Sequence, residues 1–169
     1  MTAARSILRD VVRVALVALS AGALAAAAVV GLDAGAGLRA WFGLTPRQPV
    51  DVSVARLWLE NVRTLLLAFG AGAAVVWWPR GRAALDAAVC LVLGGNVLLV
   101  AVAFGAYGEP LLRLAPGHYV LELLAIATAG AAYLQARRAR VLRAGVMSAC
   151  ASAAAALLLG AAMLESAHV

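Results

Sequence analysis

The chain has 169 residues, 65% of them hydrophobic and only 13% charged, and its mean hydropathy is +0.96. A soluble domain lies nearer half apolar and about a quarter charged, so the composition excludes an ordinary soluble protein and points to an all-α, polytopic bundle forming one membrane domain over 1–169. The net charge of +6 is carried by arginine with no lysine. The arginines sit in short flanks rather than on one broad basic face, which argues for orientation in a membrane and against nucleic-acid binding.

Arg5, Arg9 and Arg13 precede an apolar run at 14–32. That run is Ala-rich and offers small-residue cleavage sites, as a signal peptide would. It is long for a signal h-region, however, and reads as a retained helix. Residues 33–56 are the longest polar connection, an outer loop. Gly35, Gly37, Pro46 and Pro49 rule out one continuous helix there. Leu38, Trp41, Phe42 and Leu44 beside Arg39 and Arg47 suit a piece lying in the interface; an unstructured loop is the alternative. A second helix is predicted at 57–78. Its first turns are polar, with Glu60, Asn61, Arg63 and Thr64, and Glu60 and Arg63 are spaced to pair at i,i+3. Trp77-Trp78-Pro79 marks the far interface and stops the helix, and Arg80 and Arg82 form a short basic turn. The third helix, 83–107, carries Asn96 near its middle, behind Gly94-Gly95. A second connection, 108–117, holds Glu109, Pro110, Arg113 and Pro116. The fourth helix, 118–135, has roughly 18 residues, the short end of the spanning range. Arg137, Arg138, Arg140 and Arg143 follow as the most basic turn. A fifth helix at 141–164 ends in a short polar tail.

Five helices place the N-terminus, the Arg80/Arg82 turn and the Arg137–Arg143 turn on one side. That side should be cytoplasmic, which puts the N-terminus in, the C-terminus out and the two longer loops outside. Localisation is then the cell membrane, multi-pass.

The stretch from Pro116 to Ile126 is the chain's centre of interest. His118 and Glu122 are four apart, hence on one face of a helix, and the same face continues through the small residues Ala125, Ala129 and Ala132. An ionisable residue inside a membrane-length segment is costly and should face protein or a water-filled pocket. Small residues on that stripe let a second helix approach. Asn61 and Glu122 each lie about four residues into helices that start at the outer face, so both should sit roughly 6 Å below it. Glu60, Asn61, Arg63, His118 and Glu122 can then share one polar layer. Asn96 is deeper, at roughly 16 Å, and meets Glu122 only if the helices slant. Each residue also has a plainer role: His118 as an interfacial residue at a helix start, Glu122 as a partner of Arg63, and Asn61 and Asn96 as interhelical hydrogen-bonders. The glycines of Gly70-Ala71-Gly72 read as packing. His118 and Glu122 are two metal-ligand types without a third, since His168 lies in the tail. Cys90 and Cys150 read as small hydrophobes, and no nucleophile with a nearby base is visible. No metal, cofactor or enzymatic activity is expected.

Over 57–137 the chain resembles the stage II sporulation protein M family of membrane proteins. That pattern has an Asn opening an Ala- and Gly-rich helix, an Asn-led helix, then Pro-His with Glu four after the His and Leu-x-Ala-Ile beyond. Here Asn61 begins Asn-Val-Arg-Thr-Leu-Leu-Leu-Ala-Phe-Gly, Asn96 begins Asn-Val-Leu-Leu-Val, and His118 and Glu122 lead into Leu-Leu-Ala-Ile-Ala-Thr-Ala-Gly. Val97 stands where Gly is usual, Gly117 separates Pro from His, and Leu124 stands where Pro is common. The resemblance implies a non-enzymatic membrane scaffold, linked in the best-known members to cell-envelope remodelling. Its partners would be the lipid bilayer, other membrane or envelope proteins and a second copy of the chain. A transmembrane subunit of a transport system, with Asn61, Asn96, His118 and Glu122 along a polar path, is the second expectation. The all-Arg, Ala-rich composition points to a GC-rich genome and away from an endospore role.

Overall fold

Apolar runs of membrane length must satisfy their own backbone hydrogen bonds, and helices do so within one segment. The computed structural model describes residues 3–42, 54–108 and 116–166. The regular elements among them are all helical, with no strand. They are α1 (Ala3–Gly31), α2 (Gly35–Phe42), α3 (Val54–Trp77), a 3-10 turn (Pro79–Gly81), α4 (Arg82–Val89), a π turn (Cys90–Gly94), α5 (Gly95–Tyr107), α6 (Pro116–Ala139) and α7 (Ala144–Ser166). The 3-10 turn, α4, the π turn and α5 run on as one apolar rod, Pro79–Tyr107. Among the described residues, four segments are long and apolar enough to cross a membrane: this rod, Ala4–Gly31, Gly117–Ala139 and Ala144–Ser166. Within α3, Asn61–Trp77 is a shorter apolar helical stretch.

Specific contacts fix the directions of the rods. Gly22 faces Val97 and Ala101, and Gly105 faces Ala26 and Val29, so α1 and α5 run parallel. Val14 meets Gly130 while Asp10 meets Arg138, so α1 is antiparallel to α6. Gly117 meets Leu164 and Gly160 meets Leu121, which makes α6 and α7 antiparallel. Trp58 Nε1 donates to the carbonyl of Ala155 at 3.0 Å, and Gly72 meets Met147, so α3 also opposes α7. Successive rods therefore alternate in direction.

α6 is the hub. It packs against α1, α3 and α7, whereas α5 packs mainly on α1. Ala125, Ala129 and Ala132 are each 0% exposed. With only a Cβ to accommodate, neighbouring helices come close on several sides, which is how small residues substitute for the hydrophobic effect inside lipid. The buried cluster joins Leu65, Ala68 and Val75 of α3 to Tyr133 of α6 and Leu158 of α7.

Several boundaries differ from those read in the sequence. α6 is 24 residues long, not a short spanner. Pro116 is tolerated in a helix's first turn, where no amide bond is lost. Arg137 and Arg138 suit the negative end of the helix dipole and so continue the helix instead of forming a turn. α3 begins at Val54, inside what reads as the outer loop. The first part of that loop is helical: α2 packs on the end of α5, where Arg39 donates to the carbonyl of Ala106 and lies 5.9 Å from the centre of the Tyr107 ring. The expected interfacial contributions of Leu44 and Arg47, and the polar residues Glu109 and Arg113, lie outside the described residues. α5 stops at Gly108, whose φ of 66° and ψ of −146° belong to a region that is essentially glycine-only.

Candidate functional site

The polar side chains gather at two ends of the bundle. At the end where α6 begins, Asn61 Nδ2 of α3 donates to Glu122 Oε1 of α6 at 2.8 Å. The two residues therefore lie at one depth, and the bond joins α3 to the hub. His118, one turn earlier on α6, is only 8% exposed. Its ring centre lies 4.0 Å from that of Tyr119. Tyr119 in turn meets Phe104 of α5 edge to face at 4.8 Å, an arrangement that aromatic quadrupoles favour. Arg63 is not part of this layer. It is exposed, and among the described residues no ion pair links Glu122 to an arginine. Two residues beyond Asn61, Arg63 points about 200° away around the helix axis, and its long charged chain gains more from water or headgroups than from the bundle. The Glu60–Arg63 pairing falls on a side chain outside those described.

Asn96 does reach the neighbourhood of Glu122. Both line a cleft of about 330 Å³ between α1, α5 and α6. The π turn sets this up. At 3.6 residues per turn, one extra residue in a turn rotates everything beyond it by about 100°. Before the π turn the rod packs on α3, and after it on α1. Asn96, two residues beyond that turn, is thereby directed at the α1 side of α6. Elsewhere the cleft wall is apolar apart from Tyr119, with Gly22, Ala26, Ala101 and Leu123 among its residues. Leu19 and Val120, which also line it, are 54% and 56% exposed, so its mouth faces where lipid would be.

No family model, curated protein or solved structure matches the chain.

The opposite end of the bundle holds a polar layer that the sequence reading missed. Asp10 of α1 is 0% exposed. Its carboxylate accepts from Gln135 Nε2 at 2.6 Å and from Arg138 Nη1 at 2.9 and 2.8 Å. Gln135 also donates to Ser6 Oγ at 2.8 Å. Across α6, Asp86 of α4 accepts from the Tyr133 hydroxyl at 2.6 Å. It also takes a two-point contact from Arg137, with Nε to Oδ1 at 2.7 Å and Nη2 to Oδ2 at 2.8 Å. Such a fork is the strong geometry for an Arg–carboxylate pair. The rule that singled out Glu122, an acid within a membrane-length run, applies equally to Asp86. Asp10 was masked by the three arginines around it, which read as a charged flank.

Chemically, the described site is a set of interhelical bonds plus one cleft. Among the described residues, no three His, Cys, Asp or Glu side chains converge in a way that would hold a metal ion. Cys90 and Cys150 are both free thiols. Gly72 abuts Met147 and Tyr133, a packing role, while Gly70 faces open space.

Proposed function

We propose that this chain is a multi-pass scaffold of the cell membrane, which holds a partner protein of the membrane or envelope in place. One observation carries this reading. Asp10, Asp86 and Glu122, three of the acids within these helices, each bond across a helix–helix interface in which α6 is one side. Acids used in this way brace a fixed frame. A transport path would instead need them to exchange partners during a cycle. Around the frame, α1 and α3 present large exposed apolar side chains, among them Leu16, Val17, Leu24, Leu66 and Leu67. Such faces suit lipid or another membrane helix. The order and spacing of Asn61, Asn96, His118 and Glu122, similar to the stage II sporulation protein M pattern, supports a link to cell-envelope remodelling.

The proposed orientation has five spans, the N-terminus in the cytoplasm and the C-terminus outside. The Asp10–Arg138 and Asp86–Arg137 pairs gather the start of α1, the start of α4 and the end of α6 at one end of the bundle. The arginine-rich flanks therefore cluster there, as the cytoplasmic preference of arginine requires. A transport subunit is the second reading, favoured by Asn96 and Glu122 lining one cleft.

The deciding experiment is cross-linking in cells followed by purification in mild detergent. A stoichiometric envelope enzyme or membrane protein is expected. Recovery of the chain with an ATPase would favour transport, and recovery of the chain alone would overturn the scaffold.

A further inference from the structure

We propose that the cleft between α1, α5 and α6 is a binding site, entered from the lipid, for a hydrophobic ammonium cation. Its volume of about 330 Å³ lies at the lower end of the range for small-molecule pockets, so it suits a compact or single-chain molecule. The chemistry of the wall selects the charge. Glu122 is among the lining residues, and one oxygen of its carboxyl group already accepts from Asn61. Among the described residues no cation is ion-paired with it. A carboxylate at membrane depth calls for a counter-charge, and the cleft is the space beside it in which one fits.

Two further features point the same way. Tyr119 and Phe104, locked edge to face at 4.8 Å, both line the cleft, and aromatic faces attract alkylammonium groups. The π turn ahead of Asn96 is an irregularity that occurs mostly at functional positions, and Asn96 lines the same cleft. The remaining wall of Gly, Ala, Val and Leu side chains would take the apolar body. A phospholipid ammonium is disfavoured, because its phosphate would come to lie near Glu122.

The test uses the full chain in micelles of an uncharged alkyl maltoside, with decyltrimethylammonium as the probe. One saturable site per chain is expected in equilibrium binding. Glu122→Gln should bind about tenfold more weakly, the equivalent of about 1.4 kcal/mol. Ala23→Phe places a ring in the cleft from an exposed position on α1 and should abolish the site. It leaves the Asn61–Glu122 bond untouched, so it decides the matter if Glu122→Gln fails to fold. Decanol and added phosphatidylethanolamine should not displace the probe. Absence of a saturable site, unchanged binding in Glu122→Gln or in Ala23→Phe, or displacement by decanol would overturn the proposal. Displacement by phosphatidylethanolamine would overturn it in favour of a lipid headgroup.

Discussion

Replacing Glu122 by Leu and Asn61 by Ala, singly and together, isolates the bond between α3 and the hub. Interhelical hydrogen bonds in membrane proteins average about 0.6 kcal/mol in double-mutant cycles and reach about 1.7. The Asn61–Glu122 contact is short, at 2.8 Å, and part-buried, which places its coupling in the upper half of that range, at about 1–1.5 kcal/mol. Glu122→Leu alone should cost more, about 2 kcal/mol, because the Asn61 amide is left without its acceptor. Glu122→Gln keeps a carbonyl oxygen of the same shape and should cost less than Leu. The measurement is reversible unfolding in mixed micelles, followed by helical content, with the coupling read from the four-member cycle. A coupling within about 0.3 kcal/mol of zero would mean that the two residues act independently. Wild-type stability of Glu122→Leu would mean that the polar layer contributes nothing to the bundle.

The two acids at the other end should differ. Asp10 is fully buried between α1 and α6, so Asp10→Ala should cost about 2 kcal/mol, part of it recovered because Arg138 is 49% exposed and can turn to water. Asp86 and Arg137 are 33% and 43% exposed, so Asp86→Ala should cost about 1 kcal/mol or less; a larger loss for Asp86 than for Asp10 in the same unfolding assay would contradict the burial. Gly105 allows α1 to approach α5, because a Cβ there would lie 2.7 Å from Val29 Cβ and 2.8 Å from the Ala26 carbonyl oxygen. Gly105→Ala should therefore lower stability by about 1–3 kcal/mol. Gly70→Ala, facing open space in mid-helix, should be neutral or raise stability by up to about 1 kcal/mol, and equal effects at the two positions would refute the close approach. For orientation, a reporter active only in the cytoplasm should work when fused at Gly81 and be silent after Val169; both on one side, or the reverse, would rule out the proposed five-span arrangement.

Much of the candidate site was legible in the sequence for a simple reason. Spacing along one helix is local information, so His118, Glu122, Ala125, Ala129 and Ala132 fall on one stripe whatever surrounds them. Equal depth of Asn61 and Glu122 followed from counting residues inward from two helix starts. Counting gives depth but not direction around a helix axis. Arg63 has nearly the depth of Asn61, yet it is turned outward, and no one-dimensional count separates the two. The π turn failed to register because it leaves no sequence pattern. Cys90–Gly94 reads as ordinary apolar helix, and only its backbone bonding rotates Asn96 onto the cleft.

Apolar run length and composition, taken alone, determined the all-helical membrane bundle, because lipid leaves a chain few other ways to satisfy its backbone. The stripe that makes α6 an inner wall was determined in the same way. Only the tertiary structure decided that α6 is bonded on two sides at its far end, with Asp10 from α1 and Asp86 from α4 meeting Gln135, Tyr133, Arg137 and Arg138. Asp10 and Arg138 stand 128 residues apart in the chain. What brings such partners together is the packing of small-residue helix faces, and that packing is settled by all the helices at once.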